Sequence, residues 1–508
     1  MDRTGDDRPV EEEAMASFDE ALAAATAAAG RVPKGLYIDG EWRTAQGGKA
    51  LAVEDPATGS VIAEVADASV ADALDALAAA DRAQHAWAAT APRERGEVLR
   101  RAFELMVERR DDLAGLMTLE MGKAFAESQA EVSYAAEFFR WFAEEAVRID
   151  GGYLPAPAGG SRVLLMRQPV GPCLLITPWN FPMAMGTRKI GPALAAGCTV
   201  VVKPAKQTPL SMLALVAILE EAGVPRGVVN VFTTARSGEA SSALLDDPRL
   251  RKVSFTGSTE VGRTLLGQAA RRVLRTSMEL GGNAPFLVFD DADLDLAIEG
   301  AVQAKMRNVG EACTAANRFY VQRSVAEQFV SGLAERLGRL RVGHGLDPAT
   351  EVGPLIDGNA VKSVGELVSD ATAAGARVVT GGAAVGGDGY FFAPTVLADV
   401  PGDARTVREE IFGPVAPIVV FDAEDEAVGL ANASEYGLAS YVFTENLGRG
   451  LRVSERLESG MVGLNQGVIS NPAAPFGGVK QSGLGREGGR VGIDEYLNIK
   501  YTAVRANW

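Results

Sequence analysis

The stretch GPCLLITPWNFPMAMGTRKIGPALAAGCTVVVKPAKQTPLSMLALVAILEEAGVPRGVVNVF, residues 171–232, decides the fold. It contains short unbroken apolar runs, CLLIT at 173–177, CTVVV at 198–202 and VVNVF at 228–232, and KVSF follows at 252–255. Between the second and third runs Thr208 is placed to cap a helix, Pro209 takes its first position, MLALVAILEE supplies the period and Gly223 stands at the exit. Apolar strands alternating with such helices predict buried parallel strands in a doubly wound α/β sheet. Ligands of such a sheet sit beyond the C-terminal ends of its strands.

Upstream, from Asp67 to Ile149, Leu, Ala, Val and Phe recur at helical spacing, with breaks near Thr90 to Pro92 and around Gly122 to Glu127. This predicts a layer of helices. Residues 1 to about 30, acidic and then Ala-rich, read as a frayed or weakly helical tail that carries no chemistry. Downstream, FLVF at 286–289, a helical stretch from Asp293 to about Asn308 and the region from Phe319 to Asn465 predict a second α/β domain. The hairpin-like Gly151 to Pro169 and the tail YLNIKYTAV at 496–504 belong to neither sheet and are candidates for pairing with another subunit.

The 508 residues are 47% hydrophobic and 23% charged, which suits several buried cores and excludes general disorder. A net charge of −16 disfavours nucleic acid and anionic membranes as partners. The three cysteines, Cys173, Cys198 and Cys313, are odd in number and far apart, as expected of a reducing, cytoplasmic compartment. With two histidines, His85 and His344, and no Cys-x-x-Cys pair, no metal site is expected. The acidic N-terminus lacks the features of an export signal, and every apolar run is cut well short of the roughly 18 residues a membrane span needs.

Two glycine motifs are misleading. Gly483, Gly485 and Gly488 spell GxGxxG, but no predicted strand leads into them, so they read as a Gly-rich turn. GSTEVGRT at 257–264 imitates a phosphate loop with Arg263 where the lysine should stand, which argues against nucleotide hydrolysis. Opening a helix after KVSF, the same glycine and serine can still present N–H groups to a pyrophosphate. There is no GxSxG elbow for a serine hydrolase.

Cys313, in RNVGEACTAANR, taken alone would be an inert core thiol. Its company changes that reading. PWNFP at 178–182, KPAKQTP at 203–209, FTGSTEVG at 255–262, MELGGNAP at 278–285, GEAC at 310–313, EEIFGPV at 409–415 and PFGGVKQSG at 475–483 together resemble the aldehyde dehydrogenase superfamily, in order and spacing, over roughly residues 30 to 505. The resemblance implies a Rossmann-like cofactor domain (31–146 and 170–281), a second α/β catalytic domain (282–483) and a small β oligomerisation arm (147–169 and 484–508), in a homodimer or homotetramer.

It also implies oxidation of an aldehyde through a cysteine thioester. Cys313 matches the nucleophile, Glu279 the general base for water, and Asn180 the amide that joins the Cys313 N–H in holding the oxyanion. For the cofactor, Lys203 resembles the lysine at the adenosine ribose, Gly257 and Ser258 the pyrophosphate turn, and Glu410 and Phe412 the pair at the nicotinamide end, with Trp179 in the same groove. Three residues after Lys203, where many NAD-preferring relatives carry Glu, stands Lys206, a cation that attracts a 2′-phosphate. NADP is therefore the expected cofactor, with NAD as a slower substitute.

Arg188 and Arg307 resemble the arginines with which the succinate-semialdehyde dehydrogenase branch grips a distal carboxylate, helped by a serine, here Ser470, with Asn471 as an alternative donor. Two departures stand out. Glu311 replaces a frequent Gln and would raise the thiol pKa if it pointed inward, though an outward orientation is expected; Ala315 stands where some relatives have a second cysteine, so no disulfide switch is expected. Rival readings are a broad-specificity enzyme with structural arginines, a non-catalytic binding relative, and a CoA-acylating enzyme, the last disfavoured by retention of Glu279.

Overall fold

Unbroken apolar runs become the parallel strands of two separate sheets in the computed structural model, which describes residues 8–505. The first sheet runs in the order Gly483–Leu484, Arg275–Glu279, Lys252–Thr256, Cys173–Ile176, Val200–Lys203, Val229–Val231, Leu36–Ile38, Glu41–Arg43. Its five central strands are parallel. The chain steps outward from Cys173–Ile176 on one side, then returns to lay Lys252–Thr256 on the other. The order therefore reverses between these two strands, which opens a crevice beyond their C-terminal ends.

The second sheet runs Arg377–Thr380, Thr395–Ala398, Val415–Phe421, Ala316–Gln322, Ala284–Val288, Ala439–Phe443, Met461–Leu464, all parallel except the first pair. Leu280 to Asn283 alone carry the chain from the last strand of the first sheet's parallel set into the second sheet. The predicted helical layer is present as Val70–Ala89, Pro92–Glu108, Arg110–Met121 and Phe125–Glu145, with one break at Arg109 that no proline or glycine announces.

Gly152–Pro155, Ser161–Pro169 and Leu497–Arg505 form a separate three-stranded antiparallel ribbon. The hairpin and tail that fitted neither sheet thus pair with each other within one chain. Tyr153, Leu154, Ile499 and Tyr501 on this ribbon are exposed.

Residues 1 to about 30 are corrected in part. Arg8–Arg31 is a helix, packed through Ala25, Ala28 and Ala29. Its alanines pack closely against the helix Arg110–Met121, where a Cβ on Gly115 would lie 3.1 Å from that of Ala25. Small side chains, which read as low hydrophobicity, are here what lets two helices approach. Residues 1–7 lie outside the described part.

The helix expected after Thr208 is Pro209–Glu221, with Gly223 at φ +90° just past its end. Its cap differs from the expectation. The Thr208 hydroxyl donates to the Trp179 carbonyl at 3.1 Å. The helix N–H groups of Leu210 and Ser211 instead donate to the two carboxyl oxygens of Glu120, at 2.7 and 2.8 Å. Glu120 is fully buried. Glu120→Ala should therefore lower unfolding stability by roughly 2–3 kcal/mol, since it orphans two buried donors. Thr208→Val should cost less than about half of that, as read from urea unfolding of both variants.

Candidate active site

Glu279 ends the last parallel strand of the first sheet, and Cys313 precedes the strand Ala316–Gln322 of the second. The four-residue crossing between the sheets brings them together. A Cβ on Gly282 would lie 2.2 Å from the Cys313 carbonyl oxygen, so only glycine lets the crossing strand pass the nucleophile's backbone at this distance. On the far side the Tyr441 hydroxyl donates to the Thr314 carbonyl at 2.8 Å, bracing the next residue.

Cys313 follows a turn in which Asn308, Val309 and Gly310 all have positive φ, at 54°, 58° and 79°. The Asn308 N–H donates to Glu127 Oε1 at 2.7 Å, which fixes the turn's first left-handed residue. Cys313 is half-buried, and burial pushes its thiol up to about 12; Arg188 and Arg307 pull it down, while Glu410 and Glu279 add to the rise. The Glu311 carboxyl takes the Ile356 N–H at 3.1 Å and does not figure among the charges acting on the thiol. That carboxyl is fully buried and held to the Ile356 backbone, in place of the expected outward orientation.

Glu279 is buried, and neither carboxyl oxygen has a hydrogen-bond partner in the protein. Burial and then the like charge of Glu487 raise its pKa well above the carboxylate range, against the pull of Arg188 and Lys189. A buried acid with two open acceptors is equipped to engage water. Asn180 lies in the loop between the strand Cys173–Ile176 and the helix Ala184–Ala196; its Nδ2 donates to the Glu311 carbonyl at 2.9 Å and its Oδ1 accepts from the Phe181 N–H. One amide hydrogen of Asn180 is thus used, and a second remains for a ligand.

The residues expected at the cofactor line the crevice at the sheet reversal. Trp179 follows the strand Cys173–Ile176, and Gly257 and Ser258 follow Lys252–Thr256. Ser258 caps the helix Thr259–Ala270. Lys203 ends its strand buried, which lowers its pKa to about 8, and Lys206 is exposed beyond it. Across the crevice, Trp179 meets Phe412 edge-on at 5.5 Å, and Glu410 accepts the Gly282 N–H at 2.9 Å. Burial raises Glu410 to about 7. Lys305 holds this loop from behind, donating to the Gly413 carbonyl at 3.1 Å and to Asn317 at 2.9 Å. A buried cation, a capped helix N-terminus and an aromatic pair along one crevice fit an extended dinucleotide.

A cavity of about 530 Å³ is lined among others by Tyr134, Phe181, Gln303, Arg307 and Ser470, and the charge of Arg307 acts on the Cys313 thiol. Arg307 Nη1 donates to Ser470 Oγ at 3.1 Å, and its guanidinium lies 4.9 Å from the Phe181 ring centre. Arg188, the other arginine of the expected pair, acts on the Cys313 thiol more strongly than Arg307 and is itself paired with a carboxylate. It is buried against Glu487, with Nε 2.6 Å from Oε2, lies over the Phe476 ring at 3.9 Å, and does not line the cavity that holds Arg307. Of the three groups expected to grip a carboxylate, the structure joins Arg307 and Ser470. Glu487, Lys189, Glu127, Asn308 and Lys305 are additions; a local sequence reading treats each as an ordinary helix or turn residue, because its partner is remote in the chain.

A half-buried thiol and a buried acid where two doubly wound sheets meet, with an aromatic and glycine-lined crevice at the sheet reversal and a cavity that presents Arg307 and Ser470, fit a cysteine-dependent dehydrogenase. Residues 42–502 match the aldehyde dehydrogenase family, and the chain belongs to it. It is 59% identical to a succinate-semialdehyde dehydrogenase of Paenarthrobacter nicotinovorans, over 87% of this chain and 99% of that protein. It is 52% identical to a glutarate-semialdehyde dehydrogenase of Pseudomonas putida, over 92% of this chain and 97% of that protein. A crystal structure described as an E. coli NADP dependent enzyme superposes with a TM-score of 0.92 at 50% identity, covering 94% of this chain and 98% of that one. The protein is an NAD(P)-dependent aldehyde dehydrogenase. Among the described residues no helix is long and apolar enough to cross a membrane.

Because the thiol of the ligand-free protein is raised to about 12, Cys313 stays protonated across the neutral range. Its alkylation by iodoacetamide, followed by peptide mass spectrometry, should keep accelerating from pH 7 to 10. A half-maximal rate near about pH 8.5 to 9 with levelling by about pH 10, as for an ordinary thiol, would show the burial effect to be absent.

Proposed function

We propose that this enzyme oxidises an aldehyde bearing a distal carboxylate, succinic semialdehyde or its one-carbon-longer homologue glutaric semialdehyde, to the dicarboxylic acid. The observation that carries this reading is the Arg307–Ser470 pair on the wall of one cavity, with Arg307 six residues before the nucleophile in sequence and its charge acting on the thiol. A guanidinium and a hydroxyl presented together suit a carboxylate, and the Phe181 ring beneath the guanidinium limits its movement. The semialdehyde activities of the two relatives support the same substrate class.

In this reading Cys313 Sγ passes its proton to Glu279 and attacks the carbonyl carbon. The oxyanion is held by the second N–H of Asn180 Nδ2 and by the Cys313 N–H. A nicotinamide held by Trp179, Glu410 and Phe412 would supply the acceptor for the hydride of the former aldehyde carbon. The carbon is then a thioester on Sγ. Glu279, its proton returned to solvent, takes a proton from water; the hydroxide attacks the thioester, the C–S bond breaks and the thiolate is restored. Arg188 contributes charge: paired with Glu487 beside the site, it opposes the burial that raises the thiol.

NADP is the preferred cofactor in this proposal. Lys206, exposed three residues beyond Lys203, offers a cation to the 2′-phosphate, and the E. coli structure is of an NADP enzyme. The ribbon of Gly152–Pro155, Ser161–Pro169 and Leu497–Arg505, with exposed Tyr and Ile side chains, is the surface we assign to subunit pairing in a homodimer or homotetramer. Three free cysteines suit a cytoplasmic setting.

Initial rates test the substrate assignment. Arg307→Ala should raise KM for succinic semialdehyde roughly 10- to 100-fold while moving KM for butanal less than about threefold. Equal effects on both would refute a carboxylate anchor. Lys206→Glu should shift the ratio of kcat/KM for NADP over NAD toward NAD by at least roughly tenfold. Since Glu279 must be ionised to work and its pKa is raised, kcat should climb with pH through a range well above that of an ordinary carboxylate. Glu279→Gln should remove that limb and lower kcat by roughly 10²- to 10⁴-fold.

A further inference from the structure

The loop that carries Asn180 has no helix or strand of its own between Ile176 and Ala184 apart from turns, so other groups must set its position. The Asn180 carbonyl oxygen receives two donors from separate elements: Lys123 Nζ at 2.8 Å and Asn308 Nδ2 at 3.1 Å. Lys123 lies between the helices Arg110–Met121 and Phe125–Glu145, its side chain 1% exposed, and its ammonium lies 4.2 Å from the centre of the Phe181 ring. The counter-ion is Glu131, equally buried, whose Oε2 is 2.5 Å from Nζ.

The second oxygen of Glu131 is also engaged. Oε1 accepts the N–H groups of Met183 and Ala184, both at 3.1 Å, where the helix Ala184–Ala196 begins. The pair therefore grips the Asn180 loop at both ends: the ammonium on the carbonyl before Phe181, the carboxylate on the donors after Pro182. Asn308 links this grip to the nucleophile, because its Nδ2 also donates to the Glu311 carbonyl, the acceptor that Asn180 Nδ2 uses. A buried ion pair is a weak source of net stability, since desolvation of both ions offsets their attraction. What this pair supplies is a fixed geometry between the Asn180 loop and the Cys313 turn.

We propose that Lys123 is a positioning residue for the oxidation, setting Asn180 against Cys313 through the Asn180 backbone carbonyl, with Glu131 holding the ammonium in place. This rests on the reading of Asn180 as the oxyanion donor. A misplacement of a donor by about 1 Å is enough to cost roughly 10²-fold in rate.

The test uses the full-length enzyme with succinic semialdehyde and NADP. Lys123→Met strands the Glu131 charge and lowers the melting midpoint; Lys123→Met combined with Glu131→Gln removes both ions of the pair and keeps the acceptor for Met183 and Ala184, so the midpoint should recover. kcat should not recover with it: a loss of roughly 10- to 100-fold with KM changed less than about threefold is expected. In an Asn180→Ala background the same two substitutions should lower kcat less than about twofold further.

Recovery of kcat together with the midpoint, or losses that multiply in the Asn180→Ala background, would make Lys123 a structural residue and overturn the inference alone. A KM increase confined to carboxylated aldehydes would make it a substrate contact and overturn it too. If Asn180→Ala leaves kcat intact, the oxyanion reading falls and takes this inference with it. Where the Lys123 variants do not fold, Glu131→Gln alone must reduce kcat at least about threefold with KM held; an unchanged kcat overturns the proposal.

Discussion

Four residues, Leu280 to Asn283, carry the chain from the parallel strands of the first sheet into the second, and the chemistry is located by how tightly they do so. The crossing follows directly from Glu279 and leads directly into Ala284–Val288, which pairs with the central strand Ala316–Gln322 that follows Cys313. Gly282 permits the contact by having no side chain, and Glu410 secures it from the cofactor side by accepting the Gly282 N–H. A longer or bulkier connection would keep both sheets intact and still separate the nucleophile from its base.

Burial governs the electrostatics of this junction. Glu279, Glu410, Lys203, Lys305 and Cys313 are all shifted toward their uncharged forms, and for each the largest cause is loss of water. Ions persist where partners were built in: Glu487 keeps its carboxyl below its ordinary range despite burial, because Lys189 and Arg188 flank it. The site is a set of nearly neutral reacting groups surrounded by committed ion pairs. That arrangement brings Glu410 and Lys305 to about 7 and Lys203 to about 8, while the flanked Glu487 stays below its ordinary range.

How much of this is legible in the sequence depends on the range of the interaction. The strands at 173–176 and 200–203 and the helix at 209–221 follow from local period and from Pro209 and Gly223, because buried parallel strands and helix ends impose local patterns. Cys313, Glu279 and Asn180 are legible through their motifs, and so is the Arg307–Ser470 pair. Local pattern fails where a partner comes from far along the chain. The cap of the helix Pro209–Glu221 is Glu120, 90 positions from Leu210, and Thr208 looks sufficient only as long as that carboxylate is unseen. Arg188 looks like a free guanidinium beside Arg307 until Glu487 is placed against it; the neighbouring Lys189 reaches the same carboxylate across 298 positions. The helix Arg8–Arg31 resembles a solvated tail because alanine contributes little hydrophobicity per residue, although it packs closely.

The turn of Asn308, Val309 and Gly310 has an implication for anyone who alters this enzyme. Val309, a β-branched residue, is held at φ 58° and almost fully buried, in a backbone region that disfavours such side chains by roughly 1–3 kcal/mol. Laboratory selection for heat resistance alone would be drawn to relax this position, where glycine or asparagine adopts the same backbone at lower cost. The sulfur of Cys313, four residues downstream, would then lose a stiff support, so durability and turnover pull against each other at an apolar residue outside the set assigned to the reaction.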